Sequence, residues 1–337
     1  MSFEDSAYIT LRNLHLDGRQ RNVAGIVAEA GGDYAHNITL ENLQIYDYDH
    51  QRGNTGITTR SPAWNWIIRN NHIHHVGTGM YLGQPDGGSP FIAGVIEDNL
   101  VEATLGYNIQ IKHQSERKII PGMPTGPMRT VIRYNTLSKA EHGEGASGAR
   151  PNLLVGHFPP SGPGQYDQYL IYGNLFYENP HERLLQGEGN VALYNNLFVN
   201  RRGEDDGLGG DGVIFLPHND VPKNTYVLRN TVLTTGTGIQ IKEPDSSYEQ
   251  IVAGNAIFSP QPIKLDGIAG EFNFTAQFAA APEYLNAPMA ERGELDLAPK
   301  TERLAKDVGL PRPRHKIPHL HRDYNLNERR QPTWGAF

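Results

Sequence analysis

One pattern of apolar, any, apolar, any, Asn, any, apolar returns nine times along this chain, and few folds accommodate such a pattern. It appears at Ile9-Thr-Leu-Arg-Asn13-Leu, Ile38-Thr-Leu-Glu-Asn42-Leu and Ile67-Ile-Arg-Asn-Asn71-His-Ile73, then around Asn99, Asn135, Asn174, Asn196, Asn230 and Asn255. Successive Asn lie 29, 29, 28, 36, 39, 22, 34 and 25 residues apart. A core period in the twenties, broken by insertions after Asn99, Asn135 and Asn196, is the signature of a solenoid. A second short apolar stretch follows each copy, often behind a glycine, as at Gly25-Ile26, Gly56-Ile57, Gly79-Met80 and Gly238-Ile239.

Two strands and their turns make one coil, and so small a coil cannot bury its own apolar face. Each coil must therefore stack on the next, its strands pairing in parallel about 4.8 Å apart. An Asn repeated at one turn then has a structural use, because its amide can bond the Asn above and below in a ladder. With 37 Gly, 23 Pro and a hydrophobic fraction of 38%, the composition suits many short strands and turns rather than long helices. The expected fold is all-β, a single-stranded parallel β-helix solenoid of about nine coils over residues 1–265. Residues 266–337 are expected to form an irregular C-terminal tail packing on the helix as part of the same unit.

Lys and Arg total 30 against 37 Asp and Glu, a net charge of −7, with no basic run interleaved with aromatics. Nucleic acid is thereby excluded as a partner. No apolar run has membrane-spanning length. The absence of cysteine rules out disulfides and thiolate chemistry. Met1-Ser2-Phe3-Glu4-Asp5 is not a signal peptide. The repeat is already running by Ile9, which leaves little room for a cap over the first coil. We therefore expect a signal peptide and N-terminal cap to have been removed, and a secreted, periplasmic or cell-surface monomer.

The repeat resembles the right-handed parallel β-helix superfamily that holds pectate lyases, alginate lyases, mannuronan epimerases and polygalacturonase-like hydrolases, over residues 9 to 265. The tail, from Phe278 and Tyr284-Leu285 to Trp334-Gly335-Ala336-Phe337, looks like the closing segment of many secreted bacterial β-helix proteins, which commonly end Asp-Ile-Gly-Ala-Phe-Glu. The resemblance implies a polysaccharide substrate.

Residues that break a repeat are where a solenoid carries function. With the second strands aligned on their leading apolar residue, the fourth position reads Glu29, Arg60, Gly83, Lys112, Gly156, Gly187, Pro217, Lys242. The fifth reads Ala30, Ser61, Gln84, His113, His157, Glu188, His218, Glu243. The last five of these are all His or Glu, a column with about 4.8 Å between neighbours, walled by the longest insertions. Lys112, His113, Arg150, His157, Glu188 and His218 are the candidate catalytic residues. Lys242 and Glu243, with His142 and Asn152 from the Gly-rich insertion, are candidates for binding substrate. A solvated turn is the alternative.

β-Elimination on a uronate polymer needs the C6 carboxylate neutralised, a base for the C5 proton and an acid for the departing oxygen. Arg150 or Lys112 would neutralise, His113 or His157 abstract, and His218 protonate. Pectate lyases, in the resemblance, use Arg or Lys as base with calcium, but no matching acidic triplet occurs here. Epimerisation would draw on the same proton chemistry. Hydrolysis by Glu188 and Glu243, two coils or about 9.6 Å apart, is a rival. So is a transition metal on His113, His157, Glu188 and His218. Calcium could take oxygens from Tyr46-Asp47-Tyr48-Asp49, or from Glu204-Asp205-Asp206 with Asp211. A non-catalytic glycan-binding or surface module is the remaining class, although Trp64, Trp66 and Trp334 are scattered rather than set in rows.

Overall fold

The computed structural model describes residues 1–49, 51–141, 150–203, 209–305, 309–329 and 333–337. Three sheets of ten parallel strands each run the length of a β-helix. The first sheet begins at Ser2–Phe3 and ends at Gln261–Leu265. The second runs from Thr10–Arg12 to Gly270–Glu271, and the third from His15–Asp17 to Phe274–Ala276. A four-stranded sheet from Ser6–Ala7 to Phe91–Ile92 fills one corner of the first four coils.

In the first sheet one inward position passes from Ile26 through Ile57, Met80, Ile109, Leu153, Leu185, Val213 and Ile239 to Ile263. These residues join the inward positions of the other sheets in one continuous core from Phe3 to Ile257. Burying that face is what the stack achieves and a lone coil cannot.

Between the second and third sheets every coil makes the same turn. One residue takes a left-handed conformation, with φ between 52° and 71° from Asn13 to Phe272, and the residue after it begins the third sheet's approach. In eight coils that next residue is Asn. The ladder runs Asn71, Asn99, Asn135, Asn174, Asn196, Asn230, Asn255, Asn273, each Nδ2 donating to the next Oδ1 at 2.8–3.0 Å. Each Oδ1 also accepts the backbone N–H of the residue at the same site one coil earlier, Leu43 for Asn71 at 2.9 Å and Asn135 for Asn174 at 3.0 Å. The buried polar groups of the turn are thus satisfied from coil to coil.

Three points differ from the sequence expectation. Asn13 and Asn42 stand outside the enclosed ladder, because the pairing of Ile68 with Leu40 sets Asn42 level with Asn70, in the left-handed position. Leu14 and Leu43 occupy the ladder site. Asn is favoured at left-handed positions for its own reason, so two roles one residue apart look alike in sequence. Second, the stack holds ten coils rather than nine. Third, it reaches Ala276 rather than 265, with Asn273 closing the ladder behind the two-residue strand Gly270–Glu271.

The described tail packs on the outer faces of the second and third sheets. Ala281, Leu285, Leu297, Leu304 and Ala336 cover Tyr177, Leu197, Val199, Leu233 and Phe258 of the third. Ile317, with Leu310 and Leu320, covers Tyr172, Tyr194, Tyr226 and Leu228 of the second. Arg201 clasps the tail, its guanidinium donating to the carbonyl of Ala290 at 2.9 Å and to the buried carboxylate of Glu178 at 2.8 Å.

Candidate active site on the first sheet

The C-terminal ends of the first sheet's strands carry the polar cluster. Register there follows from backbone bonds. The N–H groups of Lys112, Gly156, Glu188, Leu216 and Lys242 each donate to the last residue of the preceding coil's strand, at 2.8–3.4 Å. Those five residues therefore share one position, and His113, His157 and Glu243 fall at the next. The expected column of five is thus corrected at two coils, where the strands Leu185–Gly187 and Val213–Phe215 start one residue later and one earlier than aligned. Leu184-Leu185 and Val213-Ile214 each offer two adjacent apolar residues, so either can pose as the leading one. Glu188 stands level with Lys112 and Lys242, and His218 lies one residue beyond the histidine position.

Folding still gathers most of these groups, since the charges of Lys112, His157, Glu188 and His218 all act on His113. Gly156 makes the gathering possible: it sits between Lys112 and Glu188, and a Cβ there would run into the His113 backbone. The His113 and His157 rings stack with centroids 5.3 Å apart and planes at 28°. His157 is 8% exposed, with Nδ1 2.7 Å from the Phe158 carbonyl. A carbonyl only accepts, so Nδ1 carries a proton there.

His113 is half-buried, and its Nδ1 is enclosed without a hydrogen-bond partner. Burial first, then the positive charges of Lys112 and His157, hold its pKa below the ordinary imidazole value, against the pull of Glu188. Burial likewise pushes the Lys112 amine down, with Glu188 opposing. Glu188 is 4% exposed and accepts the N–H groups of Asn219 and Asp220 at 3.0 and 3.2 Å. His218 and Glu243 are exposed, and Lys242 is partly so.

Two candidates lie elsewhere. Asn152 is fully enclosed, donating to the carbonyl of Leu137 and accepting from Asn179, both at 2.9 Å. With Asn179 and Asn200 it lines the opposite corner. Arg150 precedes the strand Leu153–Val155 whereas His157 follows it, so the two sit at opposite ends. Its guanidinium bonds Tyr107, and its carbonyl accepts from the buried Lys139 at 2.7 Å. His142 falls outside the described residues.

A cleft of about 410 Å³ that the alignment did not single out opens on the outer face of the same sheet, lined by Arg52, Thr58, Arg60, Tyr81, Gln84 and Tyr107 among others. Tyr81 points outward from mid-strand, and Tyr107 and Arg52 come from loops, so none of the three falls at a strand end.

Among the described residues no three His, Asp or Glu side chains are arranged to hold a metal ion, so His113, His157, Glu188 and His218 do not form such a group. Glu204, Asp205 and Asp206 lie outside the described residues. Glu188 and Glu243 stand at adjacent positions rather than at the same one. No helix among the described residues is long and apolar enough to cross a membrane. Compared with known proteins, the sequence matches no family model and no curated protein.

Proposed function

We propose that this β-helix is a polysaccharide lyase of pectate-lyase-like type, cleaving a uronic-acid-containing polymer by β-elimination outside the cytoplasm. The observation that carries the reading is the His113–His157 stack beside Lys112, with His113 held neutral by its surroundings. A general base must be unprotonated at working pH, and a depressed imidazole pKa keeps it so. Lys112 would neutralise the C6 carboxylate, which acidifies the C5 proton. His113 takes that proton, the C5–H electrons form the C4–C5 double bond, and the C4–O4 bond breaks. The exposed His218 is placed among these charges and would protonate O4 as it leaves.

Incubation with uronic-acid polysaccharides, followed by absorbance of the unsaturated product and by reducing ends, tests this. Both signals should rise together. Reducing ends without unsaturation would mean hydrolysis instead. Silence in both across the panel would favour glycan binding without cleavage, the second reading, which the Tyr81–Tyr107 cleft supports.

A further inference from the structure

We infer that the cleft on the outer face of the first sheet, across its third to fifth coils, is a binding site for the acidic units of an anionic oligosaccharide. It lies apart from the histidine cluster but adjoins it at Lys112. The choice of ligand rests on the proposed function; the existence of the site does not.

The charge pattern comes first. The protein carries −7 overall, yet Arg52 and Arg60 line the cleft and none of its lining residues is acidic. Concentrating cations in a concave wall of an acidic molecule focuses a positive potential where a carboxylate would sit. Guanidinium groups also grip carboxylates through two parallel bonds, which a sugar acid presents at each unit.

The floor matches the rest of a sugar. Tyr81 occupies an outward position in the strand Thr78–Leu82, level with Thr58 on one side and Gln110 on the other. Tyr107 enters from the loop before the next strand and is braced by Arg150. Burial pushes both phenols above the usual tyrosine value, so both stay neutral, offering ring faces and hydroxyl groups together. The volume of about 410 Å³ lies in the range of small-ligand sites.

Continuity with the cluster runs through Gly83. Glycine leaves the cleft wall bare there, and Lys112 Cβ lies 3.1 Å from the place a Gly83 Cβ would take. A chain seated on Tyr81 would thus extend toward Lys112 and His113 along a face that the described tail leaves open.

The test is calorimetric titration of the whole protein with tetramers of galacturonate, mannuronate, guluronate and glucuronate, and of neutral glucose as control. At least one acidic tetramer should bind while the neutral one does not, and binding should weaken with salt. Arg52→Ala, at an exposed position, should weaken it by roughly tenfold or more, and Tyr81→Ala similarly. Failure of every acidic tetramer to bind, or undiminished affinity in Arg52→Ala, overturns the site. The two proposals fail separately. Binding without cleavage keeps the cleft and sinks the elimination, and cleavage with unchanged KM in both cleft variants does the reverse.

Discussion

Removing one rung of the ladder should cost more than almost any other single amide in the molecule. Asn174 is fully enclosed. Its Nδ2 donates to Ile132 O at 2.9 Å, Asn196 Oδ1 at 3.0 Å and Tyr172 O at 3.1 Å, while its Oδ1 accepts the N–H and the Nδ2 of Asn135 at 3.0 and 2.9 Å. Truncation in Asn174→Ala deletes all of these. The buried N–H of Asn135 and carbonyl of Ile132 then lose this partner, each at about 1–3 kcal/mol, so the loss should be about 2–6 kcal/mol. Asn174→Leu refills the space without restoring a donor or acceptor and should fare little better. Asn42→Gly is the control: it removes one surface bond at a left-handed residue and should cost under about 0.5 kcal/mol. Urea unfolding followed by circular dichroism measures all three. If Asn174→Ala unfolds within about 1 kcal/mol of Asn42→Gly, the ladder is decoration and the argument from buried amides fails.

The two stacked histidines should part company under mutation. His113→Ala should abolish turnover with a near-native melt, whereas His157→Ala should also melt earlier, having lost an enclosed bond to Phe158 at about 1–3 kcal/mol; melts run beside activity assays decide it, and an active His113→Ala ends its role as base. Because His113 acts unprotonated and its pKa is lowered, kcat/KM should rise with pH along a limb centred below 6.5. Lys112→Met removes a positive neighbour, which raises the His113 pKa, so the limb should move up in pH; no movement, or a downward one, refutes the coupling. Arg201→Ala strands the carboxylate of Glu178, whose side chain is 0% exposed, and should cost about 3–5 kcal/mol while freeing the segment around Ala290 to protease. Unchanged proteolysis there would show that the tail is held by its apolar face alone.

The architecture was legible because its cause is periodic. An apolar position recurring in every coil and an Asn that must bond its own image leave a trace no loop can hide. What sequence could not resolve was register to a single residue. Leu184 and Leu185 are chemically equivalent until the bond from Glu188 N to Val155 O chooses between them, and one residue of slip moves a side chain to another face. The same ambiguity misplaced Asn42, and the tenth coil went unseen because Gly270, Glu271 and Phe272 carry no strand pattern. The grouping of His113, His157, Glu188 and Lys112 in space was legible, since His and Glu interrupt a run of otherwise bland strand ends. Arg150 was expected beside the histidines but lies at the other end of its strand, because distance along the chain says little about which end of a strand a residue serves. The Tyr81 cleft was missed altogether: its residues meet only across three coils, and none breaks a pattern where it stands.

The corner between the second and third sheets always spends two residues, from Asn13-Leu14 to Phe272-Asn273, while the other corners absorb every insertion. That constancy makes it a natural recombination joint. Excising residues 43–70 would bring Asn42 against Asn71, a left-handed residue followed by a ladder Asn, which is the junction already present at Asn70 and Asn71. Whole turns can thus be lost, duplicated or exchanged with the splice invisible to the coils on either side, so such a molecule can be lengthened or shortened turn by turn without redesigning the spine beneath it.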